Sequence, residues 1–479
     1  MIGFLPTLRA ELVRTRGSSA SVLPLLGIVI AGISAAGVYI TPQSEERAVL
    51  LWQTLYVTGM AAGILALLAG LTTGRETAAR EGGTQWRPMN PRLVTVARFA
   101  VLAGLSAEFH LLAFWAVIPP VILAGAPLDV GGVLTAGIAC WVATLGLLAV
   151  TYVATERWGT VLVFLLAWVW QAIGILAAEW PSWVALPPTW AVRAMLPLLG
   201  AHQNGEPLSP NDPLLHESPV LALCLSVGLM LVVLMARLTL KVTPRLESRT
   251  NSGPIGYRSA RDGALVAINL TMRGRPVIPL CLAAIVASTV VAVVYPPSYL
   301  LGFYTYALLP LGACVVAVLL WQTLVPGWRL VVLHGANLPR AVQAWLLGCV
   351  TAVTLVVVIL TYMNTALHGD SAEITTVVRA GVLWLLLGAA GSLGALWITV
   401  RYGMARALGA AAVLVIVGAT FGGDVLADTW MWVLGPTAWP LSADSPSRFV
   451  LAGSIGIIAI FAGWFASAWA MRTATAREV

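Results

Sequence analysis

The chain has 479 residues, of which 59% are hydrophobic and only 10% charged, with a formal charge of +7. A mean hydropathy of +0.89 leaves too few polar residues to dress a water-facing surface, which excludes an ordinary soluble enzyme or binding module. The positive charge is almost wholly arginine, Lys241 being the single lysine, and it lies in loops between apolar runs. That distribution fits the bias of a membrane protein's cytoplasmic loops and not a nucleic-acid surface.

Taken in chain order, the stretch from Ile2 to Arg16 puts Leu5, Leu8 and Leu12 on one helical face and Arg9 and Arg16 on another, as expected of a helix lying in the membrane interface. It lacks an uninterrupted apolar core, so no cleavable signal peptide is expected. Runs long enough to cross roughly 30 Å of hydrocarbon follow at 22–40, 50–71, 99–123, 132–153, 161–178 and 220–236, and again at 277–294, 300–324, 342–362, 380–400, 407–421 and 449–471. Twelve spans put both termini on one side. With that side cytoplasmic, only Arg47, Arg193, Arg379 and Arg448 of the 27 lysines and arginines fall outside. The expectation is an all-α polytopic membrane protein of about twelve transmembrane helices with both termini in the cytoplasm.

Between the two sets of six runs, Arg237, Lys241, Arg245, Arg249, Arg258, Arg261, Arg273 and Arg275 face only Glu247 and Asp262. This divides the chain into a first half over 1–240, a basic cytoplasmic connector over 241–262 and a second half over 263–479. Laid over each other at an offset of about 250 residues, the halves share landmarks in the same order. Leu8, Ala10, Arg16 and Gly17 match Leu265, Ala267, Arg273 and Gly274; Pro91-Arg92 matches Pro339-Arg340; Trp183-Val184 and Pro188-Thr189 match Trp432-Val433 and Pro436-Thr437.

Two kinds of residue stand out against this apolar background. Glu108 is the one acid expected near mid-bilayer, where an ionisable group marks a pathway or conformational site facing the bundle interior or a cavity, or bonds a polar neighbour such as Gln171. His110 and Gln171 are further candidates for a substrate-pathway or conformational role, although His110 lies about 200° further round the same helix and does not share the face of Glu108. The segments 180–201 and 430–443 hold Trp180, Trp183, Trp190, Trp430, Trp432 and Trp439, which suit an interfacial aromatic belt. Pro187, Pro188, Pro436 and Pro440 break these segments into short hairpins. His202, Asp212, His216 and Glu217 lie in one external loop without metal-ligand spacing, as expected of a solvated loop. All five cysteines fall inside apolar runs and read as small membrane-core residues.

Lys241 has no preceding glycine-rich loop, so no phosphate-cradling motif is present, and no catalytic or metal-binding constellation is apparent. The chain is therefore expected to be neither an enzyme nor a holder of a metal or cofactor. The loop after the second span carries Glu76 and Arg80-Glu81, then Gly83-Thr84, Arg87, and Asn90-Pro91-Arg92 at the third span. An acid, a Gly-Thr and a Pro-Arg entering the third helix resemble the permeases of ABC-2 type exporters, and the likeness extends over the whole chain. It implies two repeated six-helix halves with interfacial elbow helices and outer re-entrant hairpins, the latter formed around Trp183, Pro188, Trp190, Trp432, Pro436 and Trp439. It also implies a separate ABC ATPase subunit, in two copies, that binds ATP and magnesium and docks on coupling loops carrying Glu76, Arg80, Glu81, Arg87 and Arg92 in the first half and Arg329 and Arg340 in the second. Pro326-Gly327-Trp328-Arg329 departs from the pattern of the first loop. The implied cargo is a hydrophobic or amphipathic small molecule or peptide leaving a bacterial cell through its plasma membrane. The rival readings are an ion-coupled secondary transporter of twelve helices, a transferase acting on lipid-linked substrates, and a membrane sensor or scaffold.

Overall fold

Out of water, a backbone can satisfy its own N–H and C=O groups within one segment only by coiling. The computed structural model describes residues 3–16, 18–40, 47–81, 90–239, 277–294, 297–325, 328, 338–368, 371–422 and 429–474, and among these every regular element is helical. The chain divides into two compact units, Met1–Arg249 and Thr250–Val479. The expected connector 241–262 and the second-half landmarks Leu265 to Gly274 lie outside the described residues.

In the first unit, α1 (Phe4–Thr15) precedes α2 (Leu26–Ile40), α3 (Ala48–Gly59), α4 (Ala61–Glu81), α5 (Pro91–Trp115), α6 (Ile118–Leu123), α7 (Val130–Trp158), α8 (Thr160–Ala177), α9 (Pro187–Leu199) and α10 (Val220–Thr239). The central helix is α7, which packs on α4, α5, α9 and α10, while α2 packs on α5 and α4 on α8. In the second unit come α11 (Val277–Val294), α12 (Pro297–Phe303), α13 (Leu309–Leu324), α14 (Leu338–His368), α15 (Ser371–Tyr402), α16 (Met404–Phe421), α17 (Trp439–Ser442) and α18 (Pro446–Ala474). Here α15 is central, packing on α13, α14, α16 and α18, with α11 on α14 and α13 on α16. Each unit thus pairs its first span with its third and its second with its fifth around the fourth, so the repeated landmarks accompany a repeated packing order.

Ten described helices are long and apolar enough to cross a bilayer, or eleven when one bent pair counts as a single span. The twelve expected are not reached by that count, although 277–294 does form an 18-residue helix. The sixth span of each unit is the least covered, with only 11% of its most apolar window buried in α10 and in α18. Leu231, Val232 and Met235 on α10, and Ile458, Phe461 and Phe465 on α18, are exposed. Apolar stripes of this size would drive aggregation in water, and hydrocarbon covers them. The protein is an all-α polytopic membrane protein.

Local chemistry explains several boundaries. The fourth and fifth spans are joined by a single residue in each unit, Gly159 (φ 83°, ψ 162°) and Gly403 (φ 93°, ψ 164°). That backbone region is closed to residues with a Cβ. Replacing either glycine with alanine is expected to destabilise its unit by about 1–3 kcal/mol, read as a lower midpoint of thermal unfolding in detergent. The third span expected at 99–123 begins earlier, at Pro91, where the Asn90 side chain accepts from the Arg92 N–H at 3.0 Å and caps the helix. It is interrupted after Trp115, just ahead of Pro119-Pro120 in α6.

The helix expected at the N-terminus forms as α1. Leu5, Leu12 and Val13 are exposed, where lipid would cover them, and the buried stripe is the polar one of Thr7, Glu11 and Thr15, turned onto α5.

Candidate functional site

The second span of each unit departs from regular helix. The run 50–71, expected as one span, is instead two helices, α3 and α4, bent by 58° around Met60. Bending frees backbone groups that would otherwise pair within the helix, and in a dry interior each needs a partner. Gln171 of α8 supplies both: its Oε1 accepts from the Ala62 N–H at 2.9 Å and its Nε2 donates to the Val57 carbonyl at 3.0 Å. Gln171 is therefore the residue that holds the bend.

Beside the bend lies a buried polar cluster. His110 on α5 places Nδ1 2.7 Å from the Ser106 carbonyl, and since a carbonyl can only accept, Nδ1 carries the proton. In the neutral ring Nε2 then presents a lone pair to the Tyr56 hydroxyl of α3 at 2.9 Å, with the Thr144 hydroxyl of α7 at 3.3 Å. The Gln53 side-chain amide donates to the Ala113 carbonyl at 2.8 Å and ties α3 to α5 once more. Phe109 and Phe114 pack edge-on against Tyr56 and close the cluster off. Next to it, Val57, Thr144, Gln171 and Pro188 line a cavity of about 10 Å³, about the space of one water molecule.

The second unit answers with a related device. Tyr304–Leu308 forms a turn of π-helix between α12 and α13, a widening often found where a helix serves a function. Tyr304 stands at the repeat offset from Tyr56, and its hydroxyl bonds the Thr354 hydroxyl at 2.7 Å. Thr354 in turn stands at the repeat offset from Ser106. The Trp384 indole of α15 stacks edge-on against Tyr304 and donates to the Thr305 hydroxyl at 2.9 Å.

Compared with models of protein families, the chain matches none. No curated protein matches it either.

The residues singled out from the sequence are dispersed over this architecture. Glu108 is exposed, so it is not packed inside the bundle of its own unit. It follows Val96, Ala100 and Gly104 up one exposed stripe of α5, because steps of four keep to one helical face. Nor does it bond Gln171, whose amide oxygen and nitrogen are both engaged at the bend. His110, nearly opposite on α5, is fully buried. Arg92 and Arg340 are exposed in the first turn of the third span of their respective units. Glu76, Arg80 and Glu81 lie on the last turns of α4, while Arg87 and Arg329 lie outside the described residues.

The tryptophan belt needs correcting. Trp183, Trp432 and Trp439 are buried and Trp190 is half-buried, leaving Trp180 and Trp430 as the exposed pair. The segments do break where the prolines fall: a short 3-10 turn at Trp183–Ala185 leads to α9, with Pro187 and Pro188 in its first turn, and turns at Trp430–Leu434 and Pro436–Ala438 lead to α17. Two of the indoles brace their own segments. Trp190 Nε1 donates to the Val184 carbonyl at 3.0 Å and Trp439 Nε1 to the Trp432 carbonyl at 3.2 Å. In each unit an arginine lies over the matched tryptophan, Arg193 at 5.5 Å from the Trp183 ring and Arg448 at 5.3 Å from Trp432. The loop expected to be merely solvated is also tied down, since His202 lies 3.1 Å from Glu179 and 3.4 Å from Asp212, and Glu217 pairs with Arg193.

Sequence reasoning missed a chain of charges in the first unit, built on the buried Glu11 and Arg98. Glu11 of α1 lies 3.0 Å from Arg14 and 3.9 Å from Arg98 of α5; Arg98 lies 3.7 Å from Glu156 of α7; and Glu156 lies 2.7 Å from Arg237 of α10. Glu11 is 1% and Arg98 5% exposed, so the chain binds the amphipathic helix to three spans. The available signal was the polarity of Thr7, Glu11 and Thr15 at helical spacing, opposite the leucines.

Proposed function

We propose that the chain is the two-unit permease of an ATP-driven exporter of the ABC-2 type, carrying a hydrophobic or amphipathic cargo out through a bacterial plasma membrane. ATP and magnesium bind a separate ATPase subunit, and this chain performs no chemistry of its own. The observation that carries the reading is that each unit folds a short, proline-broken segment between its fifth and sixth spans, braced by a buried tryptophan under an arginine. Such a segment encloses one end of a path without crossing the membrane. Support also comes from α1, which is moored to the bundle through its polar stripe, and from the irregular second spans, which give each unit a place to bend. An ion-coupled mechanism usually needs several membrane-embedded acids or bases, and the sequence offers one such acid, Glu108.

Purification of the chain together with the ATPase encoded beside it tests the proposal. A stable complex is expected, with ATP hydrolysis that falls about fivefold in Arg92→Ala and less in Arg340→Ala, as for loss of an exposed charged contact worth ~1 kcal/mol. If no ATPase copurifies, or hydrolysis is the same in all three proteins, the reading fails.

A further inference from the structure

The loop that joins α9 to the sixth span of the first unit is built around one histidine. Backbone bonds from the His202 N–H to the Glu206 carbonyl and from the Leu208 N–H to the Gly200 carbonyl, both 2.8 Å, fold residues 200–208 into a tight turn about Asn204-Gly205. The His202 ring is then held between two carboxylates from different parts of the chain. Nδ1 lies 3.1 Å from Glu179, just past the end of α8, and Nε2 lies 3.4 Å from Asp212, ahead of the short turn Pro213–His216. The other oxygen of each acid is also occupied: Glu179 Oε1 accepts from the Gln203 N–H at 2.7 Å, and Asp212 Oδ1 from the Leu214 N–H at 2.8 Å. The three side chains are 30%, 27% and 22% exposed, so water reaches them without surrounding them. Among the described residues no group of His, Cys, Asp and Glu is arranged to hold a metal ion, so the three meet as charges.

Such an arrangement depends on a proton. An ionised carboxylate only accepts, so a bond at each ring nitrogen requires a hydrogen on each, the imidazolium form. A neutral ring has one N–H and one lone pair, and turns that lone pair toward one of the acids. We propose that His202 is a pH-sensitive latch of the loop: protonated, it fastens the turn 200–208 both to the end of α8 and to Asp212, and on losing its proton it keeps Glu179 and releases Asp212, the longer of the two contacts. The other charged groups around the loop are Arg193 of α9, which donates to the Ala178 carbonyl at 3.2 Å and pairs with Glu217, Arg47, which lies beside Gly200, and the exposed Glu206 and His216. Arginine and carboxylate side chains ordinarily keep their charge between pH 5 and 8, whereas imidazole does not. The Arg193 clamp therefore persists while the latch opens, and Leu214, packed against Ala178, Val192 and Leu196, anchors the far side of the loop at either pH. The change is confined to residues 203–212. It involves this chain alone, so its test bears on neither the ATPase nor the cargo.

Hydrogen exchange read by mass spectrometry on the full-length protein in detergent tests this, with rates over residues 203–212 corrected for the intrinsic effect of pH. Between about pH 5 and about pH 8 the corrected rate is expected to rise about fivefold, the scale of one partly exposed ion pair. His202→Gln, which offers one donor and one acceptor like the neutral ring, should exchange fast at both values. Asp212→Asn should stay protected at pH 8, because its amide nitrogen can donate to the lone pair of the neutral ring while its oxygen keeps the Leu214 N–H. His216→Gln should respond as the wild type does. Equal corrected rates at the two pH values in the wild type would overturn the latch. A rise that survives in His202→Gln, or disappears in His216→Gln, would assign the proton to another group and overturn it equally. A rise that survives in Asp212→Asn would overturn Asp212 as the contact released.

Discussion

Arg98→Leu is expected to destabilise the first unit by about 3 kcal/mol, near the low end of the range for removing one partner of a buried ion pair. Two facts set that position. Glu156 keeps Arg237 at 2.7 Å, so it stays compensated, whereas Glu11 is almost wholly buried and its neighbour Arg14 has a side chain 33% exposed. Most of the cost therefore falls on Glu11, and neutralising that residue should return much of it. Thermal unfolding in detergent of Arg98→Leu, Glu11→Gln and the double variant separates this from simple loss of packing. The double variant should lie closer to the wild type than Arg98→Leu does, by about 1 kcal/mol or more. A single variant within about 0.5 kcal/mol of wild type would mean that the chain of charges contributes nothing to holding α1.

The charge chain also marks the limit of what could be read without coordinates. Spans announce themselves through length and apolarity, and Pro187, Pro188, Pro436 and Pro440 through their fixed backbone, because these are properties of contiguous residues. Glu11, Arg98, Glu156 and Arg237 are partners drawn from four helices far apart in sequence. Each alone is an unremarkable charge near the end of an apolar run. Glu108 shows the complementary limit: depth along α5 follows from counting, but the face it occupies is decided by which neighbours α5 packs against. The tryptophans show the same limit. Trp430 and Trp432 look alike as belt residues, yet one is exposed and the other stacked beneath Arg448. The bend at Met60 was hidden because its neighbours are as apolar as the rest of the run. Gly59 and Gly63 permit it, and its one polar support, Gln171, lies three spans away.

Gln171→Leu is the sharper test of whether that bend is built in. An interhelical hydrogen bond between side chains in a membrane contributes only about 0.6 kcal/mol on average, because a span that loses it finds other partners. The groups satisfied by Gln171 are different. The Ala62 N–H and the Val57 carbonyl belong to the backbone at the bend, and a leucine of similar size leaves both in an apolar interior with nothing to replace the amide. A loss of about 2–4 kcal/mol is expected from the two together. Alternatively, part of the cost is avoided by α3 and α4 straightening across Met60 to recover helical bonds, which would pull Tyr56 away from His110. Either route leaves a signature. Destabilisation without rearrangement lowers the unfolding midpoint and speeds hydrogen exchange at the Ala62 amide, while straightening slows that exchange. Gln171→Glu separates polarity from shape, since a protonated carboxyl offers one donor and one acceptor in the same positions and should retain most of the stability. If Gln171→Leu unfolds at the wild-type midpoint with unchanged exchange at Ala62, the bend is held by packing alone and Gln171 is only a passenger beside it.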